Sequence, residues 1–133
     1  MHVTASALSL NVADPLSSAA FVRDHLGFET EMEADGFVAL RRADVGFRLV
    51  YLRTRLGSFT PAEAAGHADG VLVAFVVDDV DAQAERLVAE GVELTTAPTT
   101  EPWGERYLQV TDPNGVVLQL VTWVEAPPQD VLR

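Results

Sequence analysis

Histidine and cysteine, the residue types most often used for metal binding and nucleophilic catalysis, are scarce in this sequence. There is no Cys, which excludes disulfides, thiol chemistry and thiolate metal sites. The three histidines, His2, His25 and His67, are far apart in the chain. We expect them to be solvent-exposed or to cap a helix end, with His67 as the one a loop could bring near a cavity.

Acidic residues beside an aromatic segment are the next candidates for chemistry. Glu101, Glu105 and Asp112 flank or follow a stretch that contains Trp103 and Tyr107. Each acid also suits an ordinary role as a solvated loop residue or turn former. A carboxyl group in an apolar pocket can act as an acid or base, so Glu101 is a candidate for metal-free catalysis. There is no Gly-x-Ser-x-Gly elbow and no phosphate-binding glycine loop, and we assign no catalytic residue.

The elements that must position these side chains follow a pattern that occurs twice. An alternating strand, an Asp, a helical stretch and a Gly run from Leu8 to Gly27 and again from Val73 to Gly91. Asp14 is a predicted N-cap, with Pro15 at the first helical position. A duplicated half-domain explains the pattern, and two such copies tend to face each other across a concavity that suits a small ligand.

The two copies predict an α+β fold of two tandem βαβββ modules that form a curved mixed sheet, a half-barrel with a cup. The chain is expected to be one domain, 1–133, with modules at 5–53 and 70–124, a linker at 54–69 and a tail at 125–133. The predicted strands are 5–12, 28–33, 37–42, 45–53, 71–77, 92–96, 106–111 and 116–124, and the predicted helices are 15–26 and 80–90.

Composition and charge narrow the classes of partner. Twenty acidic and nine basic residues give a net charge of -11, which makes nucleic acid or an anionic membrane a poor partner. The charge either serves solubility or favours a cationic ligand. The sequence has no predicted signal peptide or membrane span, and together with the lack of Cys this predicts a cytoplasmic protein.

Several short motifs appear in an order typical of one superfamily. They are Asn-Val-Ala-Asp14, His25-Leu-Gly-Phe28, Val-Asp-Asp-Val80, Glu-Gly-Val92, Glu101-Pro-Trp-Gly-Glu-Arg-Tyr107 and Asp112-Pro-Asn-Gly115. Over residues 5 to 124 the chain resembles the vicinal oxygen chelate superfamily, which includes glyoxalase I, extradiol dioxygenases and bleomycin-resistance proteins. This fold hosts several chemistries, so only the site can choose between them.

The resemblance implies four strand positions where the enzymes of the superfamily hold a divalent metal. Three of them fall at Ala7, Leu72 and Gln119, and the fourth strand, 45–52, contains no His, Asp or Glu. A methyl and an isobutyl group cannot bind a metal, and one amide oxygen is not a metal site. We therefore predict no metal and no cofactor.

The alternation of side chains along the strands predicts what lines the cup. For the fourth strand Arg48 and Val50 are the expected inward residues, and the opposite parity would place Phe47 and Tyr51 there. Aromatic rings would stack on a ligand, and the amides with Arg48 would orient it. The predicted ligand-binding residues are Asn11, Arg48, Val50, Leu72, Glu101, Trp103, Tyr107, Gln109, Gln119 and Trp123.

Three functions remain open at this point. The first is a metal-free binding protein that resembles the bleomycin-resistance branch and sequesters an aromatic or cationic antibiotic-like molecule. The second is an enzyme of the same superfamily, lyase, isomerase or dioxygenase-like, with a metal-free or unrecognised site. The third is a partner or sensor module whose cup is filled by another chain. We also expect a homodimer, with Trp123 and the Pro127-Pro128 tail as candidates to cover a sheet edge.

Overall fold

A computed structural model describes residues 1–125 of the chain. The strands are β1 (Ala7–Val12), β2 (Glu29–Ala34), β3 (Phe37–Arg41), β4 (Arg48–Arg53), β5 (Leu72–Val76), β6 (Thr96–Thr100), β7 (Glu105–Thr111) and β8 (Val117–Trp123). The helices are α1 (Pro15–Leu26) and α2 (Val80–Ala89), with a short 3-10 turn at Ala62–Ala64. None of the helices in this range is long and apolar enough to cross a membrane.

The chain divides into two compact units with the same topology. Unit 1 contains Met1–Gly70 together with Asp112–Asn114, and unit 2 contains Val71–Thr111 and the chain from Gly115 onward. The sheet orders are β1-β4-β3-β2 and β5-β8-β7-β6. In each sheet the first pair is parallel and the other pairs are antiparallel. The α+β fold of two βαβββ modules is therefore confirmed.

Each unit buries one face of its sheet under its helix. In unit 1 α1 contributes Ala19, Val22 and Leu26 to a core that also contains fully buried Leu49 and Tyr51 of β4. In unit 2 α2 packs against β6, β7 and β8. Its core contains Val73, Val80, Leu87, Leu108, Val110, Leu118 and Leu120. Because side chains alternate along a strand, the remaining strand residues point to the opposite face of each sheet.

The two helices begin differently although both follow an Asp. Asp79 caps α2, since its carboxylate accepts the N–H of Ala82 at 3.1 Å. Asp14 occupies the same position before α1, but its side chain makes no capping hydrogen bond. The prediction of Asp14 as the N-cap is therefore right in position, while its side chain does not cap.

Asn114, in the turn between β7 and β8, makes hydrogen bonds to the start of α1, where the Asp14 side chain makes no capping bond. The Asn114 amide nitrogen donates to the carbonyl of Asp14 at 2.7 Å and lies 2.6 Å from the Ser18 hydroxyl, while its oxygen accepts the N–H of Asp14 at 3.1 Å. Ser18 donates in turn to buried Asp112 at 2.6 Å. The Asp112–Asn114 turn is thus part of the start of α1.

Two strands depart from the prediction by three or more residues, while the other boundaries agree within two. Strand β6 covers Thr96–Thr100 rather than 92–96, because the chain after α2 first turns at Gly91, whose φ is +86°, and the Val92 N–H bonds back to Leu87. Pro98 lies within β6, which is the outer strand of its sheet, where a missing N–H is tolerated. Strand β4 begins at Arg48 rather than at residue 45.

Candidate functional site

The face of the unit 2 sheet opposite α2, which we call the α2-distal face, carries both polar and apolar side chains on its inner strands and apolar ones on its outer strand β5. Gln109 and Gln119 are directly paired across β7 and β8. On β5, Leu72 and Val76 are 50% and 70% exposed. Glu105, Tyr107, Val121 and Trp123 share the face by alternation along their strands. Exposed apolar side chains beside convergent polar groups are typical of a ligand surface.

A row of hydrogen bonds crosses this face in one direction. The Thr96 hydroxyl donates to the Gln109 oxygen at 2.6 Å, and the Gln109 nitrogen donates to the Gln119 oxygen at 2.9 Å. The Gln119 nitrogen then points toward Glu105, 3.5 Å from its carboxylate. Since every donor points the same way, the row ends at an acceptor that carries negative charge. We call these four residues the amide row.

Tyr107 contacts a second carboxylate, that of Glu101, near the Glu105 end of the amide row. Its hydroxyl donates to the Glu101 carboxylate at 2.8 Å. This hydrogen bond, then burial and the negative charges of Glu101 and Glu105 raise the pKa of Tyr107, so the phenol stays neutral and remains a donor. Two carboxylates therefore lie beside one aromatic ring, an arrangement that favours a positively charged group.

The loop between β6 and β7 places Trp103 next to this acidic pair. The Gly104 N–H bonds to the Glu101 carbonyl at 3.0 Å, and the Glu101 N–H bonds to the Glu105 carbonyl at 2.8 Å. Pro102 presets the backbone angle for this turn, and Gly104 has a φ of +94° that a residue with a Cβ rarely adopts. Trp103 is 44% exposed at the tip.

The face of the unit 1 sheet opposite α1, the α1-distal face, is different. The strand registers make Phe37, Ala39 and Val50 the counterparts of Tyr107, Gln109 and Gln119. Val50 is buried with Ala39 and Leu52 in an apolar cluster. At the positions of the two amides of unit 2, unit 1 therefore has apolar side chains.

Three of the ten predicted ligand-binding residues lie in unit 1. The Asn11 amide donates to the carbonyls of Ala64 and Gly66, and so holds the segment after β4. Arg48 is exposed and pairs with Glu31 at 3.3 Å. Val50 belongs to the apolar cluster, on the face opposite to Tyr51, which matches the parity expected for β4.

The other seven predicted residues lie in unit 2, and the fold brings several of them together. Gln109 bonds to Gln119, and Tyr107 bonds to Glu101. Trp123 is paired with Glu105 across β7 and β8. Thr96, at the start of the amide row, was missed as a site residue because β6 was predicted to end there. A strand begun four residues later would have placed Thr96 opposite Gln109.

The residues present do not fit a divalent metal. Ala7 and Leu72 offer hydrocarbon, and the Gln119 oxygen already accepts a hydrogen bond from Gln109. Within residues 1–125 no three His, Asp or Glu side chains lie close enough together to hold a metal ion. The chemistry that this face offers is hydrogen bonding, ring stacking and attraction of positive charge.

Comparison with known proteins points to one family. A sequence model of the Glyoxalase/Bleomycin resistance protein/Dioxygenase superfamily matches residues 2–120. No curated protein matches the chain.

Solved structures share the fold over nearly the whole chain. The crystal structure of a glyoxalase/bleomycin resistance protein/dioxygenase from Nocardioides is 25% identical, with a TM-score of 0.80 over 96% of this chain and 89% of its own. A lactoylglutathione lyase from Agrobacterium tumefaciens is 20% identical, with a TM-score of 0.74 over 91% and 94%. TioX from Micromonospora sp. ML1 is 22% identical, with a TM-score of 0.71 over 91% and 99%.

Proposed function

Since the chain belongs to the Glyoxalase/Bleomycin resistance protein/Dioxygenase superfamily, we propose that it is a metal-independent small-molecule binding protein. Its ligand is an aromatic, positively charged, antibiotic-like molecule, held on the α2-distal face without chemical change. The observation that carries this proposal is the amide row, which ends at Glu105 next to the Glu101–Tyr107 pair.

The roles of the side chains follow from their contacts. Tyr107 and Trp103 offer ring faces, and Glu101 and Glu105 attract the positive charge of a ligand. Gln119 has its oxygen occupied by Gln109 and one N–H directed at Glu105, so the second N–H of its amide is the group that meets a ligand acceptor. Leu72 offers apolar surface to the rest of the ligand.

The test uses two probes that differ only in charge, 1-naphthylmethylamine as the cation and 1-naphthalenemethanol as the neutral analogue, titrated by calorimetry. We expect the wild type to prefer the amine and Glu101→Gln with Glu105→Gln to abolish that preference. Glu85→Gln is the control for loss of a surface charge elsewhere, because Glu85 is an exposed acid on α2. Trp103→Ala should cost about 1–3 kcal/mol of binding for both probes.

Antibiotics then replace the probes in the same assay. Glycopeptide, mitomycin-like, enediyne-like and thiazole-containing compounds are titrated, and the bound compound is recovered for mass spectrometry. Sequestration predicts one ligand per site, recovered unmodified. Equal affinity for amine and alcohol, or binding of the amine that survives both Trp103→Ala and Tyr107→Leu, would contradict the proposed site.

An enzyme of the same superfamily is the second candidate, and the Tyr107–Glu101 hydrogen bond is the observation that favours it. A phenol that donates to a carboxylate can pass a proton to or from a bound substrate. In that case the recovered compound is altered at a rate that depends on protein concentration, and Glu101→Gln slows the conversion. Sequestration predicts that neither the wild type nor Glu101→Gln converts the compound.

Our proposal includes a homodimer. β5 is the outer strand of the unit 2 sheet and carries the exposed apolar residue Val76, which a second copy could cover. Trp123 is half-buried, while Pro127 and Pro128 of the predicted edge cover lie outside the described residues. Light scattering should give twice the chain mass, and Val76→Lys should halve it. A wild-type monomer at high micromolar concentration would contradict the homodimer.

A further inference from the structure

The α1-distal face of unit 1 is covered by a segment of its own unit. Residues 54–69, which we call the strap, cross this face after β4. Leu56 packs against the apolar cluster of Ala39, Val50 and Leu52. The ring of Phe59 stacks on Phe37, with centroids 6.1 Å apart and an interplanar angle of 19°. This spacing is within the usual range for offset aromatic stacking.

Hydrogen bonds hold the strap on both sides of Phe59. On one side the Thr54 N–H donates to the Val12 carbonyl of β1 at 3.0 Å, and the Arg55 N–H closes the loop by donating to the Ala65 carbonyl at 3.0 Å. On the other side Asn11 donates to the carbonyls of Ala64 and Gly66, and the Ala68 N–H donates to the Asn11 carbonyl at 2.8 Å. The ends of the strap are therefore fixed to the sheet, and the part around Phe59 forms a loop between them.

That loop contains unfavourable local features. Phe59 has a φ of +70° and Arg55 a φ of +56°, in the left-handed region that residues with a Cβ rarely adopt. The Thr60 hydroxyl is buried with no hydrogen-bond partner in residues 1–125. Phe59 is also 82% exposed, so its ring gains little from burial. Segments with such strain and little burial open more readily than the rest of a unit.

We propose that Phe37 and the apolar cluster beside it form a second binding site, for a planar uncharged aromatic ring, and that Phe59 is the built-in competitor for this site. The Phe59 ring marks where a ligand ring lies, parallel to Phe37. A ligand that takes this place releases the strained backbone at Phe59 and lets the Thr60 hydroxyl reach water.

The choice of an uncharged ring follows from the residues of the cluster. Ala39, Val50, Leu52 and Phe37 have no polar side-chain atoms, whereas three of their four counterparts in unit 2 are Gln109, Gln119 and Tyr107. A buried charge without a partner is strongly unfavourable, so this face rejects the cationic ligands proposed for unit 2. The two sites therefore bind different chemical classes.

The experiment measures binding of 1-naphthalenemethanol by ligand-observed NMR titration. All variants carry Trp103→Ala and Tyr107→Leu, which remove ring stacking at the α2-distal face. Within that background we expect Phe59→Ala to tighten binding about tenfold, as for a site that is covered about 90% of the time. Phe37→Leu should weaken binding and remove the gain that Phe59→Ala provides.

Two controls separate competition from general loosening. Phe21→Ala removes another aromatic ring of unit 1, one that contacts His25 on α1, and should leave the affinity unchanged. Hydrogen exchange of the Arg55 and Ala68 amides should accelerate in the presence of the probe, because the strap opens. Unchanged affinity in Phe59→Ala, or a gain that persists with Phe37→Leu, overturns the proposal. Failure of every variant to bind the probe overturns it as well.

Discussion

At the scale of single residues, the most informative side chains are those whose polar atoms are hydrogen-bonded to other side chains of the same face. Gln119 is only 7% exposed, yet its oxygen and nitrogen both have partners on the α2-distal face. A buried polar group in such a row is fixed in orientation by its neighbours. The face therefore presents a preset order of donors and acceptors to a ligand.

Removing Gln119 alone should cost more stability than removing it together with Gln109. Gln119→Leu leaves the Gln109 donor without its acceptor, and we expect a loss of about 1–3 kcal/mol in the free energy of unfolding. The double variant with Gln109→Leu replaces both partners by hydrocarbon and should recover part of that loss. Urea unfolding measures both values. Additive losses would show that the two amides do not interact.

Both tyrosines of the chain should resist ionisation in the folded protein. Burial, followed by the charge of Asp112, raises the pKa of Tyr51, and the hydrogen bond to Glu101 is the main cause that raises the pKa of Tyr107. We expect little tyrosinate absorbance at pH 10, where an unfolded chain is about half ionised. Because both pKa values are raised on folding, stability is highest below pH 10 and falls as pH rises above it.

An ultraviolet titration of wild type and Tyr107→Phe checks this prediction. The Phe variant should lose the earlier of the two ionisation steps and keep the later step of Tyr51, which ionises as the protein unfolds. A step at pH 10 with the amplitude of two tyrosines in the folded wild type would contradict the assigned environments.

At the scale of elements, the two helices give a matched comparison of N-terminal Asp residues. Asp79→Ala removes a carboxylate that accepts the Ala82 N–H, and should cost about 1 kcal/mol of stability. Asp14→Ala removes a side chain that makes no such bond, since Asn114 holds the backbone there. This substitution should lower the free energy of unfolding by a few tenths of a kcal/mol at most. Thermal and urea unfolding of both variants measure the difference. Equal losses would show that Asp14 also caps in solution.

Elements with strong local signals could be predicted well from the sequence. Helix α1 was predicted with its observed bounds, because Asp14-Pro15 and Gly27 mark its ends and Gly27 adopts a φ of +72°. Strand β6 was placed too early, because Pro98 disfavours an inner strand and the sequence does not show that β6 is the outer one. Strand position on a sheet depends on pairing with distant residues, which periodicity alone does not contain.

The sequence was enough to predict which side chains share the face of the candidate site. It was not enough to predict the hydrogen bonds between them. Alternation along β7 and β8 placed Tyr107, Gln109 and Gln119 on the same side. The direction of the hydrogen bonds depends on Thr96 and Glu105 at the two ends, and only the observed register brings these residues to the amides. For the strap the sequence predicts only a linker, because residues 54–69 have no periodicity that would predict the packing of Leu56 and Phe59.

At the scale of the whole molecule, the net charge of -11 should favour any cationic ligand before contact. Raising the salt concentration from about 0.02 M to about 0.5 M shortens the range of this attraction. We expect the affinity for 1-naphthylmethylamine to fall roughly threefold to tenfold, and that for 1-naphthalenemethanol to stay nearly constant. Calorimetry at both salt concentrations measures this. A parallel loss for both probes would exclude charge as the cause.

The Asp112–Asn114 turn also has a consequence for how the protein is made. The start of α1 is completed by residues that lie about a hundred positions further along the chain. During synthesis on a ribosome, unit 1 therefore lacks its last segment, Asp112–Asn114, until 44 more residues have been added after residue 70. At about 5–20 residues per second, this delay is roughly 2–9 s. During that time the backbone of Asp14 and the Ser18 hydroxyl lack their Asn114 partner, and we expect the start of α1 to be the last part of unit 1 to become ordered.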